Sequence, residues 1–227
     1  MPVLTDPQGW FTMQVPDGWD MATDHTVGDR AVEEVLKAVE EGLRTQVVKR
    51  PDQILAMGHT PMSTQEQRQK MRELGIRNGI GPWQVFVPEQ IEAAFIQYGT
   101  ERIGQMDAFA SYLKTGLRPS LESDSLDQPP FWRFYVAITR KDLKYGRVWN
   151  PSERVSRQDA LRMGTRNGAY QLGEEDKLGS IEAGKLADLI VMDKDYMTVP
   201  EEKIPEIKVL LTIVGGKVVY KEEGGLQ

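Results

Sequence analysis

Cysteine is absent from the 227 residues, which removes disulfides, a thiolate nucleophile and Cys-ligated zinc together. Histidine is nearly absent as well, with only His25 and His59. A basic excess is missing: 28 Lys and Arg stand against 34 Asp and Glu, a net charge of −6. Without a basic face or a long like-charge run, nucleic acid is not an expected partner. No apolar run is long enough to cross a bilayer. The N-terminal stretch MPVLTDPQGW has neither the charged nor the apolar region of a signal peptide. Phosphate loops, nucleotide fingerprints and Ser-His-Asp patterns are missing too, and no helix follows Gly215-Gly216 to make it an anion site. What is present, 40% hydrophobic and 27% charged residues, is ordinary for a soluble globular protein, and a cytoplasmic one is the simplest expectation.

Read in order, residues 1–18 are rich in Pro, Gly and Asp without a period and are expected to be loop or a cut edge. Trp19 to Thr23 is a short strand candidate leading to Asp24-His25. Val32, Val35, Leu36, Val39 and Leu43 then recur at helical spacing, so Arg30 to Leu43 is predicted as an amphipathic helix capped by Asp29. The unit repeats. Gln53 to Gly58 is a strand leading to His59, and Ser63-x-x-Glu66 reads as a capping box for a helix ending at Leu74. Ile76 to Ile80 is a third strand, and helical pieces follow at Glu89 to Tyr98 and Asp107 to Thr115. Arg118 to Glu122 is a fourth strand leading to Ser123-Asp124. One helix is expected from Ser156 through Ala169. Near the C-terminus, Leu186 to Met192 and Val209 to Val214 read as strands, and Gly215-Gly216 turns the latter into Lys217 to Tyr220 as a hairpin.

Strand–turn–helix units in succession imply parallel βαβ connections, and functional side chains collect at the C-terminal ends of such strands. His25, His59 and Asp124 each follow a strand. Imidazole and carboxylate are good donors for zinc and similar divalent ions. Spacing alone leaves open whether they are ligands or surface and capping residues. Trp83, Trp132 and Trp149, with Phe131 and Phe134, could line an apolar pocket or pack under long loops, packing being the simpler reading.

The stretch from Asp176 to Tyr220, with Gly179-Ser180, Gly184-Lys185, Ala187-Asp188-Leu189 and Val214-Gly215-Gly216-Lys217, resembles the C-terminal end of the amidohydrolase superfamily, in its long, YtcJ-like branch. Asp24 to Val32 (DHTVGDRAV) is similar to that family's fifth-strand segment, Gly58-His59-Thr60 to its sixth, and Glu122-Ser123-Asp124 to its eighth. The resemblance implies an α/β fold: the second half of a TIM-type β/α barrel at 19–170, then C-terminal strands of a small composite β-sandwich at 171–227. It implies that His25, His59 and Asp124 form a metal site for one or two divalent ions, zinc foremost, with Asp124 as the proton-shuttling catalytic carboxylate. The implied activity is hydrolysis of carbon–nitrogen bonds other than peptide bonds, on a small amide-type substrate.

Departures from the pattern are informative. Met57-Gly58 stands where the family commonly has Glu before the histidine, and Glu122 stands in place of glycine. Glu122 is expected to alternate away from the site, onto the solvent or outer face. No His-x-His occurs, although the family's first strand supplies one. The alternative is therefore a catalytically incomplete fragment that works only by associating with an N-terminal half or with a second copy of itself.

Overall fold

The computed structural model describes residues 3–5, 12–14, 21–48, 54–82, 88–123 and 129–224, with backbone alone for 3–5, 12–14, 21–25 and 88–91. Within 1–18, read as loop from the sequence, β1 (Val3–Thr5) and β2 (Thr12–Gln14) form an antiparallel pair. The central feature is a four-stranded parallel sheet, ordered β3 (Met21–Thr26), β4 (Ile54–His59), β5 (Arg77–Ile80) and β6 (Ser120–Leu121). The chain order equals the spatial order, and helices supply the crossover connections that parallel strands need. Helix α1 (Asp29–Arg44) links the first pair of strands and α2 (Gln65–Glu73) the second. Helices α3 (Pro88–Gln105) and α4 (Phe109–Lys114) lie between β5 and β6.

The helices form where the apolar periodicity lies. Val32, Val35, Leu36 and Val39 of α1 are buried against Leu55, Met57, Met71 and Ile80 in the main core. Two caps fall one residue from their expected places. Gly28 is the N-cap of α1, and Asp29 begins the helix, where a negative charge meets the positive end of the macrodipole. The capping box of α2 is Thr64 with Gln67, because Ser63 is already bonded to Tyr112 and Arg68. Helix α3 is kinked at Gly99, whose φ of 70° no helical residue adopts.

After β6 come α5 (Trp132–Thr139), α6 (Arg157–Gly164) and α7 (Arg166–Leu172). The single helix expected from Ser156 to Ala169 is thus two. It breaks at Thr165 (φ −133°, ψ −87°), whose hydroxyl donates to Leu161 O. Gly164 is there for space, since a Cβ would lie 2.5 Å from Phe134 Cζ of α5. Phe131, Trp132, Phe134 and Trp149 are all buried, so they pack the interior; Trp83 lies outside the described residues. A separate antiparallel sheet, β7 (Leu189–Met192), β8 (Val209–Val214) and β9 (Lys217–Lys221), closes the chain, with the Gly215-Gly216 turn in left-handed backbone. The fold is therefore mixed α/β, and no described helix is long and apolar enough to cross a membrane.

One buried side chain ties this layer to the sheet. Arg140, fully buried, ends α5 in left-handed backbone. Its guanidinium donates to three carbonyls: Trp149 at 2.9 Å, Asp107 at 2.6 Å and Met106 at 3.0 Å. Asp107 N–H in turn donates to Pro61 O at 2.9 Å. The turn before α4 is thereby fastened to the loop that leaves β4.

Candidate active site at the strand ends

The C-terminal edge of the parallel sheet is where His25 and His59 fall. His25 is the next-to-last residue of β3 and stands level with Gly58 in register, while Thr26 stands level with His59. The backbone therefore places the two histidines at the ends of neighbouring strands. The side chain of His25 is outside the described residues, as is the whole of Asp124. Among the described residues no group of three or more His, Cys, Asp or Glu is assembled that could hold a metal ion.

His59 leaves its strand in an unusual conformation. It and Thr60 have φ of 65° and 30°, a region that costs a residue with a Cβ of order 1–3 kcal/mol and persists only when the surroundings over-determine it. Here they do. Thr60 N–H donates to Thr26 O at 2.9 Å, and Thr60 Oγ1 donates to Gly79 O at 3.3 Å. The buried Tyr112 hydroxyl lies 2.9 Å from Thr60 O and 2.8 Å from Oγ1, and accepts from Ser63. Burial pushes the Tyr112 hydroxyl up to about 12, so it remains a donor. The turn that presents His59 is clamped from both neighbouring strands and from α4.

Glu122 overturns the expectation that it faces away. Its carboxylate Oε2 accepts the His59 backbone N–H at 3.0 Å and lies 3.1 Å from His59 Nδ1. The physical reason is the period of two. Glu122 shares a face with Ser120, which pairs with Gly79, and Gly79 leaves that face open. A Cβ at position 79 would come within 1.8 Å of Glu122 Oε1. The signal was present in the sequence as a glycine on the neighbouring strand, but only the register reveals it.

Behind this pair lies Asp107, with no exposed surface and neither carboxylate oxygen hydrogen-bonded. Burial pushes its carboxyl up to about 8, against the pull of Arg140 and helped by the charge of Glu122. Asp107 is thus neutral near pH 7. Burial likewise lowers Arg140, to about 10, which leaves it charged. Sequence reasoning passed over both, because nothing local in either stretch signals burial. A cavity of about 300 Å³ beside the start of α2, lined by Ser63, Thr64, Arg68 and Arg102 among others, does not include His59 or Glu122.

The described donors suit a divalent metal in one respect. With Nδ1 of His59 held against the Glu122 carboxylate, Nε2 is the nitrogen that would face a metal.

Comparison with known proteins gives a consistent picture. The family model described as "Amidohydrolase family" matches residues 11–220. The chain is 32% identical over 204 residues to N-substituted formamide deformylase of Arthrobacter pascens, covering 88% of this chain and 36% of that enzyme. It is 23% identical over 202 residues to YtcJ of Bacillus subtilis, covering 87% and 37%. A crystal structure of a metal-dependent hydrolase from Pyrococcus furiosus superposes with a TM-score of 0.59 at 26% identity, over 78% of this chain and 34% of that one. The chain spans little more than a third of the length of these relatives.

Proposed function

Because the chain belongs to the amidohydrolase family, we propose that it forms the second half of a metal-dependent hydrolase for carbon–nitrogen bonds other than peptide bonds. The observation that carries this reading is the parallel sheet, which brings His25 and His59 to one edge on adjacent strands. In this reading residues 19–170 are strands five to eight of a TIM-type barrel and 171–227 contribute strands to a small β-sandwich. His25, His59 and Asp124 hold a divalent metal, zinc foremost, as one or two ions. When bound, such a metal supplies Lewis acidity to water and to the substrate carbonyl. Asp124 takes the proton of the attacking water on its carboxylate and returns it to the leaving nitrogen. The substrate class is a small amide, and N-substituted formamides are the first probe because the relative at 32% identity is a deformylase of such compounds.

A second chain completes the assembly in this proposal. Ile190 and Val191 point to opposite faces of β7, yet are 49% and 38% exposed, and Val218 and Val219 of β9 are 59% and 61% exposed. A sheet that shows apolar side chains on both faces calls for a cover, supplied by an N-terminal half or a second copy of this chain.

One preparation tests both parts. Zinc-loaded protein is assayed for amine release from an N-substituted formamide, and the mass of the active species is measured by light scattering. Turnover that disappears in Asp124→Ala is expected, carried by a species heavier than 25.7 kDa. Turnover that survives this substitution contradicts the role of Asp124, and an active monomer contradicts the need for a partner.

A further inference from the structure

We propose that Glu122 is a positioning residue that holds His59 in its Nδ1–H tautomer and so makes Nε2 the electron-pair donor of the ring. The purpose of this arrangement rests on the reading of His59 as a metal-site residue; the geometry does not.

Two contacts act at once. The same oxygen, Oε2, accepts the main-chain N–H of His59 at 3.0 Å and meets the imidazole Nδ1 at 3.1 Å. Turning the ring breaks one contact, and moving the carboxylate breaks both. An ionised carboxylate has no hydrogen to offer the ring, so Nδ1 is the donor. Which ring nitrogen carries the hydrogen is set by the partner of the other, and Glu122 is that partner.

The carboxylate is itself held. Glu122 N–H donates to Ile80 O at 3.0 Å, which continues the β5–β6 pairing by one residue beyond Leu121. Its side chain then lies over Gly79, where a Cβ would stand 1.8 Å from Oε1, 2.4 Å from Cδ and 2.9 Å from Cγ. Gly79 does not have the positive φ that calls for glycine elsewhere in the chain. Its use is the room it leaves. Gly81 is close as well, with Glu122 Cβ 3.2 Å from where its own Cβ would be. His59 and Glu122 are only 13% and 22% exposed in their side chains, so water competes weakly for the contact. Glu122, Gly79 and the left-handed turn at His59 therefore work as one device: the turn swings the imidazole across, the glycine makes a berth, and the carboxylate fixes the ring.

The test reads the tautomer directly. Two histidines make the nitrogen-15 spectrum of the imidazoles simple, and His25→Ala assigns it. In the metal-free full chain at about pH 8, His59 is expected as Nδ1–H. Glu122→Ala should shift it towards Nε2–H. Gly79→Ala, which keeps the carboxylate but fills its berth, should do the same, while Glu122→Gln, whose amide oxygen still accepts, should keep much of the original form. Amide dispersion in the same spectra verifies that each variant is folded. Zinc titration gives the second readout: loss of an outer partner costs a ligand histidine about 10–100-fold in metal affinity, and Glu122→Ala should fall in that range. An Nε2–H form in the unaltered chain, or a tautomer unmoved in both Glu122→Ala and Gly79→Ala, overturns the proposal. If His59→Ala leaves zinc affinity unchanged, the metal reading of His59 fails while the tautomer result stands on its own.

Discussion

Asp107→Asn is expected to stabilise the protein by up to about 4 kcal/mol near pH 7 and by almost nothing near pH 3. The Asp107 carboxyl has no exposed surface and no hydrogen-bond partner on either oxygen. Burial is the main cause of its rise from the ordinary 3.8 to about 8; Arg140 opposes the rise and Glu122 adds to it. Between these two values the folded chain keeps a proton that the unfolded chain has released. Stability therefore falls as pH increases across this window, by about 1.4 kcal/mol per pH unit, and changes no further above about 8. Asparagine does not titrate, so the variant loses this slope. It also tolerates the left-handed φ of 50° at this position, and it forfeits no bond that aspartate makes. Urea unfolding at several pH values is the check. Parallel pH profiles for the two proteins would show that the burial of Asp107 has no such cost.

Arg140→Met has the opposite sign, with a loss of about 2–6 kcal/mol from two orphaned acceptors. The three carbonyls that the guanidinium serves lie in the interior, and two of them, on Trp149 and Met106, depend on it among the bonds described. Asp107 O also accepts from Phe109 N. Each orphaned buried acceptor costs about 1–3 kcal/mol. Lysine should rescue little, because a single ammonium cannot reproduce a planar fork that reaches three acceptors. The consequence extends to the site: with Arg140 gone, the Met106–Asp107 turn loses its hold, and with it the Asp107 N–H bond to Pro61 in the loop after His59. Thermal unfolding checks the stability. An Arg140→Met protein that melts like the unaltered one would mean the carbonyls find other donors.

The elements whose signals are local were legible in the sequence. The apolar period of α1, the Gly215-Gly216 hairpin and the strand–helix alternation around His25 and His59 all concern residues a few positions apart. Boundaries moved slightly, as with β4 at Ile54–His59 where Gln53 to Gly58 was expected. The Ser63 and Thr64 boxes overlap in sequence, and the choice between them was made by Tyr112, 49 residues from Ser63. The conformation of His59 depends on Glu122, 63 residues away, and on a Tyr112 hydroxyl that reaches Thr60 across 52 residues. No local pattern encodes such contacts. Glu122 was misread because residues two apart share a face, which puts it on the side of Ser120, where Gly79 across the sheet leaves it room. Asp107 and Arg140 were missed because a charged residue in sequence reads as surface, and their burial follows only from the packing of α4 and α5.

The strand ends of this chain are proposed to carry metal-binding residues of an amidohydrolase site. Zinc affinity, measured by competition with a chromogenic chelator on the full chain, tests it most directly. His25→Ala, His59→Ala and Asp124→Ala are each expected to weaken binding by more than the roughly 10–100-fold expected for an outer partner such as Glu122. A triple variant that binds zinc as well as the unaltered chain would contradict it.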